Sequence, residues 1–234
     1  MGLTWQMPPR STERELLELG DGADDEVRHN LAEMSWFNRW LGGRRSLKKF
    51  LLPRLQSGWK VVDAGCGGGG LLRFVSRWAS QRGLGVQLIG LDQDRRNLAV
   101  ARENLGPDAW LVAGDLTQMP FRDRSVEGLY STLVLHHLDP LPLRQAVAES
   151  ARVSARIAVL NDLVRDRLAL LFFRATAPLL ARCRLTRYDG DLSIRRAYTP
   201  KELGEQARQA GLVEPKVKED LLFRRMTLAV IRDS

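Results

Sequence analysis

Val61-Val62-Asp63-Ala64-Gly65-Cys66-Gly67-Gly68-Gly69-Gly70 is the stretch that decides the fold class. An apolar run ends in a carboxylate, breaks into glycine and opens a helix-patterned segment. Glycine tolerates positive φ and lets a backbone approach a ligand closely. Gly65, Gly67 and Gly70 satisfy the Gly-x-Gly-x-x-Gly spacing of dinucleotide loops, although a structural tight turn accounts for two of them equally well. Downstream, Leu71, Leu72, Val75, Trp78 and Ala79 recur at helical spacing over 70–80, and Gly83 can close that helix. Upstream, 59–63 reads as a short buried strand.

The alternation continues away from the loop. Segments 86–91, 110–113, 126–134 and 156–160 read as further strands. Asp94 can N-cap a helix with core face Leu98, Ala101 and Leu105, ended by Gly106-Pro107, and 140–151 is helical again. Thr199-Pro200 starts a last helix, and 213–217 and 221–231 finish as strands. The pattern predicts an α/β fold: a doubly wound, seven-stranded, mostly parallel sheet. Residues 12–55 read as helical throughout, with a turn at Gly42-Gly43, and 162–187 form a long apolar, arginine-bearing stretch. The expected organisation is an N-terminal helical cap (1–55), a cofactor-binding core (56–161), a helical lid insertion (162–198) and a closing helix with the last two strands (199–234).

Three successive strand ends carry a carboxylate: Asp63, Asp92 and Asp115. Ligands of open α/β sheets bind at those carboxyl ends. A dehydrogenase accounts for Asp92, which can accept both ribose hydroxyls, but has no use for Asp63 and Asp115 together. A ligand with a cationic sulfonium, an ammonium group, a ribose and an exocyclic amine uses all three.

On these residues the chain resembles the class I S-adenosylmethionine-dependent methyltransferases, nearest the ubiquinone/menaquinone-biosynthesis type and its small-molecule relatives. The matching motifs are Asp63-Ala64-Gly65-Cys66-Gly67, Gly90-Leu91-Asp92, Gly114-Asp115-Leu116 with Pro120-Phe121 and Ser125-Val126-Glu127, and Leu135-His136-His137-Leu138. The resemblance implies a Rossmann-like methyltransferase fold and S-adenosylmethionine as cofactor. It implies that Asp63, Gly65, Cys66 and Gly67 hold the methionine end. Asp92 would bind the ribose, Gln93 would flank the adenine, Asp115 and the Leu116 amide would take the adenine edge, and Ser131 would join the cofactor set. Glu127 departs from the family's usual aspartate at a position expected to face away from the cofactor. More loosely, Asn38-Arg39-Trp40-Leu41-Gly42-Gly43, Asn161-Asp162 and Arg195-Arg196-Ala197-Tyr198-Thr199-Pro200 are similar to methyltransferases encoded beside type III polyketide synthases, which implies a phenolic or lipid-tailed acceptor.

Elimination narrows the acceptor. Base amino groups are usually methylated through an Asn/Asp-Pro-Pro-Tyr/Phe turn, and Ser131-Thr132-Leu133-Val134 has neither proline nor aromatic. Cys66 and Cys183 are poorly placed as nucleophiles, and no RNA-binding module is appended. A nucleic-acid partner is not expected. A phenol, with a pKa near 10, benefits from a general base at neutral pH. His136 and His137 are the candidate catalytic residues, with His136 favoured because neighbours in an extended segment face opposite ways. A packed histidine pair explains the same residues, and a carboxylate acceptor would need no base. No metal is expected, since the fourth strand ends without a carboxylate, and Asp162 reads as a helix cap. Methylation of carbon, nitrogen or carboxylate stays open, as does a non-catalytic protein that keeps the fold.

Bulk numbers are those of an ordinary soluble globular protein. The chain has 234 residues, 44% hydrophobic and 27% charged, near the upper size for one domain. Two cysteines without Cys-x-x-Cys spacing argue against a zinc or disulfide framework. Residues 1–10 lack the apolar core of a signal peptide and no run is long enough to span a membrane, so a cytoplasmic location is expected. The net charge of +8 fits either arginine bias on a solvated surface or an anionic partner. Leu168, Leu171, Phe172 and Leu179 share a helical face within 163–185. That face either packs in the core or lines an acceptor pocket, with the arginines outside or touching anionic lipid. The oligomeric state is left open.

Overall fold

The computed structural model describes residues 9–232. The expectation for 1–10 falls, for residues 1–8, outside the described residues. The chain forms α1 (Asp24–Trp40), α2 (Gly43–Ser46) extended by a π turn (Leu47–Leu51) and a 3-10 turn (Leu52–Arg54), β1 (Lys60–Ala64), α3 (Gly70–Ser80), β2 (Gln87–Asp92), α4 (Arg95–Leu105), β3 (Trp110–Ala113) and β4 (Val126–Thr132). Then come α5 (Pro140–Val153), β5 (Ser154–Leu163), α6 (Arg167–Leu180), α7 (Arg184–Arg196), α8 (Pro200–Gln209), β6 (Val217–Asp220) and β7 (Arg225–Ile231). The seven strands form one sheet in the order β3-β2-β1-β4-β5-β7-β6. Only β7 runs antiparallel to its two neighbours. The predicted doubly wound, mostly parallel sheet is the observed one.

Pleating sends successive residues to opposite faces, and both faces are covered. Val62, Leu129, Ala158 and Leu160 pack against α5 and α8 through Leu143, Val147 and Leu203. Val61, Tyr130, Ile157 and Val159 pack against α3 and the 47–52 turns through Leu72, Val75, Leu47 and Leu51. Registers Ala64↔Leu91 and Asp92↔Ala113 level the carboxyl ends of β1, β2 and β3. Asp63, Asp92 and Asp115 therefore arrive at one edge.

Local signals explain the best-placed boundaries. Asp94 caps α4 by accepting from Arg96 N at 2.8 Å. Thr199 and Glu202 form a reciprocal capping box at α8. Glu127 Oε2 accepts from Lys60 N at 2.7 Å, at the end of the sheet remote from the carboxylates, as expected.

Four expectations need correction. Residues 12–23 are not helical. A turn at 16–20 precedes α1, and Leu16 N and Leu17 N donate to Asp189 rather than to an internal ladder. The inner face of α4 is Asn97, Val100 and Ala101, with Leu98 and Leu105 only half-buried, because Asn97 Nδ2 is drawn to Asp92 Oδ1 at 3.2 Å. The last two strands begin later than predicted and are separated by a turn over 221–224 with Arg224 at φ 49°. Asp162 caps no helix; Asp166 caps α6.

Candidate functional site

The glycine loop turns sharply after β1. Gly65, Gly67 and Gly69 sit at φ +79°, +51° and +74°, a region L-residues with a Cβ rarely enter. The amides of Gly65 and Cys66 both donate to Leu91 O, which ties the loop to β2. A Cβ on Gly65 would lie 2.4 Å from Val134 Cγ2, whereas one on Gly67 meets only Leu31, at 3.3 Å. The backbone at Gly65 is thus pressed against the chain that follows β4.

Asp92 Oδ2 accepts from Gly67 N at 2.8 Å and Oδ1 from Asp94 N at 2.9 Å, so the second carboxylate shapes the loop as well as facing the cavity. Burial, and then the neighbouring Asp92, push the Asp63 carboxyl well above the usual carboxylate range. Burial raises Asp92 too, against the three hydrogen bonds it accepts. Two buried acids side by side are stabilised by a cationic ligand. Thr132 Oγ1 and Asn97 Oδ1 are buried, line the cavity and have no hydrogen-bond partner among the described residues. A ligand carrying positive charge and hydroxyls fits this wall. Asp115 and Gln93 are exposed at its rim and Leu116 is buried beside them. The Cys66 thiol packs in the loop and burial pushes its pKa up, which makes it a poor nucleophile.

Ser131 is the exception among the expected cofactor residues. Its side chain is fully buried and does not line the cavity. Strand alternation turns its neighbour Thr132 there instead.

Past β4 the chain is not extended. Leu133 adopts φ +61° and Leu135–His137 form a 3-10 turn. The expectation that only one histidine enters the site fails for that reason: both line the cavity, ring centroids 4.1 Å apart. Asp162 receives His136 N at 2.8 Å and His136 Nδ1 at 2.8 Å. Burial alone would raise Asp162, but His136 and the backbone amides of Leu163 and His136 hold it below its ordinary value. An ionised carboxylate only accepts, so Nδ1 carries the proton and Nε2 of a neutral ring keeps a lone pair.

Nε2 of His136 faces Glu15 Oε1 at 3.6 Å. Glu15 is buried, and burial pushes it up to about 7, against His137 and the Ser193 hydroxyl. Glu18 is also partly buried, yet its hydrogen bond with His137 and its pairing with Arg196 hold it near 2. Arg196 Nη2 donates to His137 O at 2.8 Å, and Arg10 Nη2 donates to His136 O at 2.8 Å and Leu138 O at 3.0 Å. Glu15, His136 and His137 each bring one ligand atom to within 4.8 Å of the others, a set able to chelate a divalent ion. The expectation of no metal rested on a missing carboxylate after the fourth strand; the N-terminal segment supplies one.

Asn38 and Asn161, from two of the three loosely matched motifs, meet at Arg225, while Arg196 and Tyr198 of the third lie on the histidine side. Arg225, fully buried, donates to Asn161 Oδ1 at 3.0 Å and Asn38 Oδ1 at 3.2 Å. Burial lowers Arg225 to about 10. Gly43 is required there, since a Cβ would lie 2.2 Å from Asn38 Oδ1. One cavity of about 1190 Å³ takes in the glycine loop, Asp63, Asp92, both histidines and an apolar chamber under α6 and α7 lined by Met34, Phe37, Phe173, Ala177 and Ile194. Drug-sized pockets span roughly 300–1,000 Å³, so there is room for two ligands.

Arg10, Glu15, Glu18, Asn97, Thr132 and Arg225 are site residues that sequence reading missed. Glu15 lies far in sequence from His136, and nothing in Glu13-Arg14-Glu15-Leu16-Leu17-Glu18 marks two carboxylates as inward-facing.

Residues 61–156 match the family model described as a methyltransferase domain. A malonyl-[acyl-carrier protein] O-methyltransferase from Pectobacterium atrosepticum is 37% identical over 104 residues, covering 44% of this chain and 37% of that protein. The 24-methylenesterol C-methyltransferase 2 of Arabidopsis thaliana is 30% identical over 102 residues, covering 44% and 28%. The match thus spans 28–37% of the length of these curated relatives. An Aquifex aeolicus structure titled as a SAM dependent methyltransferase superposes with a TM-score of 0.60 at 15% identity, covering 89% of this chain and 98% of that one; this likeness concerns the fold. Residues 61–156 match a methyltransferase domain, and S-adenosylmethionine, the cofactor such a domain implies, carries a sulfonium, an ammonium and a ribose that suit the buried acids and unpartnered hydroxyl described above.

Proposed function

We propose that this methyltransferase domain serves an enzyme that methylates a hydroxyl oxygen of a small apolar acceptor, phenolic, polyketide-like or lipid-tailed. The observation that carries the reading is the Asp162–His136 pair, whose histidine lines the cavity shared by the glycine loop and the apolar chamber.

S-adenosylmethionine, when bound, supplies an electrophilic methyl group. Asp63 with the backbone of Gly65, Cys66 and Gly67 would hold its methionine end, Asp92 its ribose, and Gln93, Asp115 and Leu116 its adenine. Methyl transfer is an in-line displacement, so the chain's main task is to align the acceptor oxygen. His136 Nε2 accepts the hydroxyl proton as the oxygen attacks. Asp162 holds the ring by Nδ1 and stabilises the charge that the ring acquires. Glu15, poised near neutrality, takes the proton onward, and Glu18 with Arg196 fixes His137 beside it. Arg225 with Asn38 and Asn161 closes the far wall against water.

A carbon acceptor also gives up a proton to a base, so the held histidine would serve either atom, and the position of the transferred methyl in the product decides between them. A nucleic-acid acceptor is disfavoured by the absence of a stacking aromatic at 131–134.

Calorimetry tests the cofactor half. S-adenosylhomocysteine should bind and NAD should not; the reverse result would overturn the reading. Asp92→Ala removes a charge-assisted acceptor worth on the order of 1.5–3 kcal/mol, so affinity for S-adenosylhomocysteine should fall roughly ten- to hundredfold. Unchanged affinity would take Asp92 out of the site.

A further inference from the structure

We propose that the mouth of the chamber docks on an anionic lipid surface, so that an apolar-tailed acceptor enters from the leaflet. The route of entry rests on the chamber being the acceptor site; the docking itself does not.

Helix α6 is apolar almost all round, yet only one side of it is covered. Phe173 and Ala177 pack on Phe37 and Ala181. Leu168, Leu171, Phe172 and Leu179 share the other side; Leu168 and Phe172 reach the cavity lining, yet Leu171 is 55%, Phe172 59% and Leu179 80% exposed. An all-apolar helix with an open face lacks a partner on that face. The 221–224 turn adds Leu221 and Leu222, the latter 73% exposed. Leu168, Phe172, Leu180, Leu221 and Leu222 also line the cavity, so the exposed patch is continuous with its mouth. Contiguous exposed apolar surface of this kind marks an interaction site.

Charge identifies the partner. Between Glu33 and Asp63 the chain has seven lysines and arginines and no acid. Between Asp166 and Asp189 it has five arginines and no acid; Arg174 pairs with Asp191 and Arg184 with Asp21 and Glu26 from outside the segment. The rest of the chain carries more acidic than basic residues, so the positive balance is not spread as an overall arginine bias would spread it. The first segment forms the corner from α1 to β1, and the second forms α6 with the start of α7. Gly42, at that corner, lies against Phe223 of the apolar turn. Arg39 stacks 5.0 Å over the exposed Trp40 ring, and Arg45 lies 5.2 Å over Phe223. Arg44 is pushed below its ordinary value by burial and by Arg39, Arg77 and Arg73, a crowding of like charge that an anionic surface would relieve. Apolar side chains with an interfacial tryptophan and basic neighbours are the composition of a surface that lies on anionic bilayers. No described helix is long and apolar enough to cross one.

Co-sedimentation of the full chain with phosphatidylcholine vesicles, with and without phosphatidylglycerol, tests this. Binding should be about tenfold or more stronger to the anionic vesicles and should weaken with salt. The double variant Leu171→Glu/Leu179→Glu and the single variant Arg39→Glu should each lose it, while S-adenosylhomocysteine affinity stays at the wild-type value. Equal binding to both vesicle types, or binding undiminished in the double variant, would overturn the proposal. So would self-association abolished by the same substitutions without vesicle binding, which would assign the patch to a second copy of the chain. Vesicle binding by a protein that fails to bind S-adenosylhomocysteine would uphold the docking surface and sink the catalytic reading.

Discussion

His136→Ala is expected to lower the single-turnover rate at neutral pH by about 10²- to 10⁴-fold, the range a positioned base contributes. Cofactor affinity should change little, because the glycine loop and the three carboxylates lie on other strand ends. The loss should shrink as pH approaches the acceptor's own pKa, near 10 for a phenol, since an already ionised oxygen needs no base. Removing the ring leaves Asp162 buried without its partner, a situation that costs about 3–5 kcal/mol. His136→Asn is therefore the control: its amide can still donate toward Asp162 but cannot accept a proton at the base position. Equal, pH-dependent loss in both variants supports the base, whereas full rates in His136→Asn would reduce the histidine to a strut. His137→Ala should cost stability more than rate, because Glu18 keeps Arg196. The same assay with a chelator should give the same rates. A loss on chelation would mean that Glu15, His136 and His137 hold an ion instead of passing a proton.

Gly65→Ala should impair cofactor binding and turnover together. The left-handed backbone costs an L-residue about 1–2 kcal/mol, and the new Cβ would lie 2.4 Å from Val134 Cγ2, an overpacking worth about 1–3 kcal/mol more. The sum corresponds to a loss of roughly thirtyfold or more. Val134 precedes the histidine turn, and His137 N donates to Val134 O at 3.1 Å, so the strain reaches the base as well. Adding Val134→Ala should recover the packing part and leave the backbone part. Calorimetry with S-adenosylhomocysteine, alongside thermal denaturation, separates binding from folding. A Gly65→Ala protein with native affinity would show that the loop needs no close approach at this position.

The sheet was legible because its signals are local. Val61-Val62-Asp63 followed by glycine marks a strand, a turn and a helix within ten residues, and Asp94 and Thr199-Pro200 announce their helices by capping chemistry. Levelling three carboxylates required only the parallel registers that such alternation implies. Legibility failed where long-range partners override local preference. Residues 12–23 have helical spacing, but their amides and carboxylates are claimed by Asp189, Ser193, His137 and Arg196.

The histidine turn failed for a different reason. An extended Leu133-Val134-Leu135-His136 would alternate, but Leu133 at φ +61° redirects the chain and brings both rings to one side. Asp162 looked like a cap because it is an acid just before a helix. Its actual partner follows a neighbouring strand, and only the sheet order puts β4 beside β5. The outward face of α6 was ambiguous for want of context: the spacing of Leu168, Leu171, Phe172 and Leu179 defines a face but not which way it points.

The most direct measurement is mass spectrometry of products formed from trideuteromethyl-labelled S-adenosylmethionine and a panel of phenols, alkylresorcinols, pyrones and quinols. The account predicts a labelled methyl ether on an apolar-tailed hydroxyl acceptor, with little or none on short polar phenols. Label recovered only on carbon, nitrogen or carboxylate, or on none of the panel by a protein that binds the cofactor, would contradict it.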